Sequence, residues 1–319
     1  MNLDLYDKRL LFELDKNARS TASSLSKIVK LPKETVHYRI KRLIKNNYIT
    51  HFYTIINASK LGYQYYRVFV GFHKLTLTQE KNLINFLLKQ KSCANLRILE
   101  GTYDLVFLTT HKNPKGLRLF INKFLDRFGM VIQKKSIHTI TSSYKYPNRI
   151  FFGGKTKILR FNLDTIERYE LNEMDTTILS VLSFNSRIPL TKLSRQIKKD
   201  VSTVRYHLKK LHEKGIIVAF TPTFNYGKIA REHIQIDISI RTSRTVKPIL
   251  EFFNQTNLCL YAYELIGKYD LSVEIIVKDD HELRSILHEF REKYLEYYNS
   301  YDVSHIYSEY IPTWSPFVQ

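Results

Sequence analysis

The stretch from about Lys33 to Asn46 combines side chains suited to one kind of chemistry. Its apolar residues Val36, Ile40 and Leu43 recur at i, i+4 and i+7, which makes one face of a helix. The opposite face offers Lys33, Thr35, His37, Tyr38, Lys41, Arg42 and Lys45. Lysine and arginine neutralise phosphates and donate to guanine, while hydroxyls contact bases or backbone. Helix geometry aims Lys33, Thr35, His37, Tyr38 and Lys41 at base edges and sets Arg42 and Lys45 along the phosphates. A second stretch, Val201–Lys214, turns Val204, Leu208 and Leu211 inward and offers Ser202, Thr203, Arg205, Tyr206, Lys209 and Lys210. A different pattern, Gly101-Thr102-Tyr103-Asp104, recurs as Gly267-Lys268-Tyr269-Asp270. Glycine permits a tight turn and aspartate caps it, so a structural hairpin is the default reading. A free carboxylate there would also suit an ammonium group.

These stretches match because the chain repeats itself. Shifted by 168 positions, 17 of the 55 residues between Leu3 and Asn57 are identical, among them Asp7, Arg19, Leu25, Thr35, Tyr38, Lys41 and Leu43. Such a period is far too long for a solenoid, so each copy is a module of domain size.

Within a copy the order of elements is legible. Leu10, Leu11 and Leu14 mark a helix over Asp4–Lys16 with Asp4 as N-cap, and a second helix over about Thr21–Val29 is expected to bury Leu25, Ile28 and Val29. Lys30-Leu31-Pro32 breaks it, and Pro32 suits the opening of the third helix. Two short helices, a tight turn and a basic outer face are the helix-turn-helix pattern. The period then changes. Strand-like stretches at Tyr65–Lys74, Ala94–Gly101, Asp104–Thr110 and Val131–Tyr144 enclose helical ones at Thr78–Gln90 and Pro114–Phe128. That β-α-β-β-α-β order predicts a ferredoxin-like domain, repeated over Glu232–Ile311. The expected class is α+β: helix-turn-helix units at 1–60 and 170–228, ferredoxin-like domains at 61–146 and 229–319, and a linker at 147–169 interrupted by Gly153-Gly154.

Charge separates the halves. Residues 1–150 carry 27 basic and 9 acidic side chains, net +18, against 23 and 21, net +2, in residues 151–319. Such an excess is the footprint of a polyanion partner. Only Cys93 and Cys259 occur, at equivalent places in the two copies, which argues for two buried thiols and against a disulfide scaffold. No His or Cys spacing suits a metal, no glycine-rich phosphate loop or nucleophile elbow appears, and no cofactor is expected. Apolar runs fall short of the roughly 20 residues a membrane helix needs, and no leader pattern opens the sequence, so a cytoplasmic protein is expected.

A leading Leu-Asp, a helix-turn-helix and a β-α-β-β-α-β domain with a Gly-x-Tyr-Asp turn resemble the Lrp/AsnC, or feast/famine, transcriptional regulators. Thr35–Leu43 looks like that family's recognition helix and Ile49 like its closing apolar residue. The resemblance covers almost the whole chain twice, whereas most members carry one copy. It implies a winged helix-turn-helix regulator that binds double-stranded DNA and senses a small molecule such as an amino acid around Gly101, Tyr103, Asp104, Gly267, Tyr269 and Asp270. It also implies that the two copies pair as a pseudo-dimer within one chain, with further homo-oligomers left open. Copy two departs from the pattern at Lys199, where copy one has the apolar Leu31, and at Glu213, where it has Lys45. Copy one is therefore expected to contribute more DNA affinity. Two rival readings follow. Siroheme decarboxylases resemble the same fold and occur as fused pairs, but their His-Asn-Tyr and Asn-Leu-Trp segments are missing at Ala94–Arg97 and Tyr103–Val106. A sensor or corepressor without DNA contact is the other.

Overall fold

The computed structural model describes residues 3–153, 157–164 and 168–311; Gly154 of the expected linker lies outside them. Copy one opens with α1 (Leu5–Lys16), α2 (Ala22–Val29) and α3 (Lys33–Lys45). Asp4 caps α1 in a capping box with Asp7, and Thr21 caps α2 through the Ser24 N–H. Lys30 and its repeat mate Lys198 both take the left-handed backbone that closes a helix, at φ 56° and 54°. Leu25, Val29, Val36, Ile40 and Leu43 form the small core, while Ile28, expected inside, is 36 % exposed. The i, i+3 spacing from Leu25 turns Ile28 to the rim of that core. Copy two repeats the unit as α6 (Glu173–Phe184), α7 (Leu190–Ile197) and α8 (Val201–Glu213).

Each helical unit ends in a strand, β1 (Ile49–Ile56) or β7 (Ile217–Phe224), and these two pair antiparallel with each other. The wing of one copy is thus completed by the other. Two arginines at identical repeat positions strengthen this join. Arg19 donates to the Ser186 carbonyl at 2.6 Å, and Arg187 donates to the carbonyls of Ala18 and Ser20.

The sensing halves follow the expected order. Copy one supplies β2 (Gln64–Phe72), α4 (Leu77–Leu88), β3 (Cys93–Glu100), β4 (Leu105–His111), α5 (Pro114–Phe128) and β5 (Ile132–Lys145). After the short β6 (Leu159–Asn162), copy two supplies β8 (Glu232–Ile240), α9 (Val246–Gln255), β9 (Cys259–Ile266), β10 (Leu271–Val277), α10 (Asp280–Tyr294) and β11 (Tyr298–Tyr310). The strands run β2-β4-β3-β11-β8-β10-β9-β5, and β5 also pairs with β2, which closes the ring. Closure leaves none of these eight strands with an open edge. The copies meet at two strand pairs, β3 with β11 and β5 with β9.

Alternation along the strands gives two interiors. Outward residues such as Val68, Val70 and Phe107 pack under α4 and α5, and Ile236, Val273 and Ile275 under α9 and α10. Cys93 and Cys259 are free and buried in these cores. Residues facing the inside of the ring are partly charged. Arg67 donates to Gln235 at 2.5 Å and to Ser272 at 3.0 Å, and Gln235 donates to Asp237 at 2.6 Å. Arg97 bonds Glu274 and, at 2.7 Å, Glu309. Burial alone would raise the Glu274 pKa, but Arg97, His233 and Arg67 outweigh it and hold the carboxyl well below the usual carboxylate range. Burial pushes Asp237 the other way, upward. Sequence reading placed no charges here because their partners stand in the other copy.

Among the described residues no helix is long and apolar enough to cross a membrane. The segment expected to be a plain linker is structured where it is described. Ile150, Phe151 and Phe152 pack on the α1 side of copy one, and β6 pairs with β5.

The inner charges give a measurable consequence. Glu274→Ala leaves two buried guanidiniums uncompensated and should cost about 3–5 kcal/mol of unfolding free energy. Denaturant titration of both proteins checks this; a loss below about 1 kcal/mol, the range of exposed pairs, contradicts the assignment.

Candidate nucleic-acid interface

The local cores decide which side chains of α3 and α8 remain free. Val36, Ile40 and Leu43 are spent against α1 and α2, and Val204 and Leu211 against α6 and α7. The periodicity then turns Lys33, His37, Tyr38, Lys41 and Lys45 out to solvent, with Thr35 half-buried. In α8 the exposed residues are Ser202, Arg205, Tyr206 and Lys209, with Thr203 and Lys210 half-buried. Tyr38 and Tyr206 hold equivalent positions and are 64 % and 63 % exposed. A large aromatic ring so exposed at the same place twice is not spent on packing.

Two cations of α3 have a second task. Arg42 donates to both oxygens of the buried Asp7, at 2.7 and 2.6 Å, and Arg39 bridges Asp4 at 2.7 Å and Asp7 at 2.8 Å. Arg42, expected on the phosphate backbone, thus braces α3 against α1. The sequence gave no local sign of this, because Asp7 and Arg42 stand 35 residues apart. In copy two the brace is thinner: His207 Nδ1 lies 2.6 Å from Asp175 Oδ1 where Arg39 stands in copy one. Lys210, the mate of Arg42, lies over the Tyr169 ring, 5.7 Å from its centre. Lys209 is 3.7 Å from Glu213, an exposed pair within one turn. The free cations of α3 are therefore Lys33, Lys41 and Lys45. Those of α8 are Arg205 and a Lys209 shared with an acid.

The Gly-x-Tyr-Asp turns sit at the seam between the copies. A Cβ on Gly101 would come within 2.6 Å of the Val303 carbonyl oxygen in β11, and one on Gly267 would run into the His138 ring of β5. Each glycine is therefore required by the close approach of the opposite copy's strand. Asp104 accepts from the Phe72 N–H at 2.6 Å and Asp270 from the Ile240 N–H at 2.8 Å, so both carboxylates fasten a neighbouring strand end. Tyr103 and Tyr269 are buried around Phe69, with ring centres 5.3 and 5.8 Å from it. His138 stacks on Tyr269 at 5.3 Å and accepts from its N–H at 3.2 Å. Burial, then the Arg67 and Lys268 charges, push the His138 pKa down to about 4.

The fold also assembles a set that sequence spacing did not reveal. His305 lies 3.3 Å from Glu232 and 3.9 Å from Asp280, in a largely exposed ion-pair triad.

The winged helix-turn-helix DNA-binding family matches residues 3–50 and again 171–218. An uncharacterised HTH-type transcriptional regulator of Pyrococcus furiosus is 30 % identical over 150 residues, covering 45 % of this chain and 95 % of that protein. HTH-type transcriptional regulator FL11 of Pyrococcus abyssi is 29 % identical over 140 residues, 44 % of this chain and 89 % of the relative. Among solved structures, the siroheme decarboxylase NirDL has the same fold over 98 % of this chain and 96 % of its own, at a TM-score of 0.64 and 13 % identity.

His138 makes the seam sensitive to acid. Its pKa in the folded state is below the value of 6.5 it has when unfolded, so the unfolded chain takes up the proton first. The stabilising effect of a neutral His138 is full above pH 6.5 and fades as pH falls toward 4. His138→Gln should flatten that part of a stability-against-pH curve from denaturant melts; an unchanged curve contradicts it.

Proposed function

The chain belongs to the Lrp/AsnC family of helix-turn-helix transcriptional regulators, and from that premise we propose that it binds specific DNA sequences as a pseudo-dimer within one polypeptide. The observation that carries the reading is the pair of outward helix faces, α3 and α8. They present Lys33, Thr35, His37, Tyr38, Lys41 and Lys45 on one side and Ser202, Thr203, Arg205, Tyr206 and Lys209 on the other. A recognition helix of this kind enters the major groove and reads base edges through its first turns. The β1–β7 pair and the Arg19 and Arg187 contacts hold the two units in one relation, which supports engagement of two half-sites by one molecule.

The two contributions are unequal. Copy one keeps three unpaired lysines on its recognition helix, and Glu213 weakens copy two, so the operator is asymmetric. An effector, an amino acid in the first instance, acts at the seam where the Gly101–Asp104 and Gly267–Asp270 turns meet the opposite strands. It does so by shifting strand contacts, because Asp104 and Asp270 are already bonded to backbone N–H groups.

A second reading, siroheme decarboxylation, has one observation in its favour: the whole-length fold likeness to NirDL. Fold likeness alone does not carry a chemistry. Inside the ring, the cavity between Arg67, Asn95, Arg97, Phe107, Ile140 and Tyr263 holds about 10 Å³, far below the volume of a tetrapyrrole.

Titrating operator DNA against salt tests the proposal. With about six phosphates neutralised, log K should fall against log salt with a slope of about −5. Lys41→Ala should lower that slope by about one and weaken binding more than Lys209→Ala does. A slope near zero, or footprints that neither substitution alters, removes the recognition-helix assignment.

A further inference from the structure

The two copies differ in what covers their first helix. In copy one the chain leaving β5 turns back over α1. Phe151 meets Phe224 at 4.7 Å between ring centres, and Phe152 reaches Phe12 at 6.0 Å and Arg9 at 5.4 Å. Phe12 is 3 % exposed as a result. The mates of Arg9 and Phe12 in copy two are Thr177 and Ser180. Both line an open groove of about 840 Å³ along α6, with Leu171, Val181, Phe184 and Ile188 as its apolar wall. Phe184 is 49 % exposed there.

The sequence holds a segment that fits. Tyr144 pairs with Ala262 and Tyr310 pairs with Leu96, so the strand register relates β5 to β11 by 166 positions. Carried onward, that offset matches Ile150-Phe151-Phe152 to Pro316-Phe317-Val318. The residues after Tyr310 read Ile-Pro-Thr-Trp-Ser-Pro-Phe-Val-Gln, apolar and without a charge. Ile311, the last described residue, lies against Tyr53 and Ile55 of β1. On that strand α6 rests, with Thr54 donating to the Leu182 carbonyl at 2.7 Å. The chain therefore stops beside the groove, with the number of residues left that copy one uses for the same reach.

We propose that residues 312–319 dock in the α6 groove of their own chain, with Phe317 and Val318 against Ser180, Val181 and Phe184, and so cover copy two as Ile150–Phe152 cover copy one. The occupant is apolar and uncharged, which matches a wall of leucine, isoleucine, valine and phenylalanine. Burying Phe317 and Val318 offsets the ordering of about eight residues only if the groove is already shaped, as it is here.

Trp314 is the single tryptophan of the chain and lies within this segment, which gives a direct reporter. In the full-length protein its emission should be blue-shifted and weakly quenched by acrylamide. Ser180→Arg, which obstructs the groove at a half-exposed position, and Phe317→Ala, which removes the anchor, should each raise quenching severalfold. Circular dichroism should stay unchanged in both. Strong quenching in the unaltered protein, or shielding that Ser180→Arg leaves intact, overturns the proposal. Shielding that vanishes on dilution also overturns it, since the occupant would then be the tail of a second copy.

Discussion

Two strand pairs, β3 with β11 and β5 with β9, carry the architecture. Without them each half would be an open four-stranded sheet with bare edges and with Arg67, Arg97 or Glu274 facing water. With them the ring closes and those charges become a buried network spanning both copies. A charge buried with its partner costs little net, whereas one buried alone is expensive, so neither half is satisfied without the other. Placing both halves on one chain removes the concentration dependence that such pairing would otherwise have.

Fusion also frees the copies to differ. In a homodimer every substitution appears twice, whereas here Asp7 can be braced by Arg39 and Arg42 while Asp175 has a histidine. The buried Lys145–Asp15 pair of copy one has no counterpart in copy two, where Ile311 and Ser183 stand at the matching places. The charge imbalance between halves follows the same logic. One recognition helix is rich in free cations, and the other is nearly neutral in its later turns.

Much of this was legible along the chain because it is written in short periods. The i, i+4, i+7 spacing of Val36, Ile40 and Leu43 gave the third helix and its inner face, and the repeat gave the second copy. The alternation of strands and helices gave the ferredoxin-like order. What stayed hidden depends on contacts between residues far apart. The capture of Arg42 by Asp7, the crossing of β1 to β7 and the inner salt bridges all join positions 30 to about 210 residues apart. No local pattern encodes these. Gly101 was read as a turn residue for its flexibility, whereas the stricter demand is the nearness of Val303 in the other copy.

The exchange between Arg19 and Ser186, matched by Arg187 with Ala18 and Ser20, turns the paired helical units into a caliper of fixed opening. A rigid gauge cannot stretch to suit a duplex whose grooves fall at another interval. The adjustment then has to come from the DNA, by bending or twisting, and its cost depends on how stiff the intervening steps are. Base pairs that no side chain touches would in this way weigh on which sites are held.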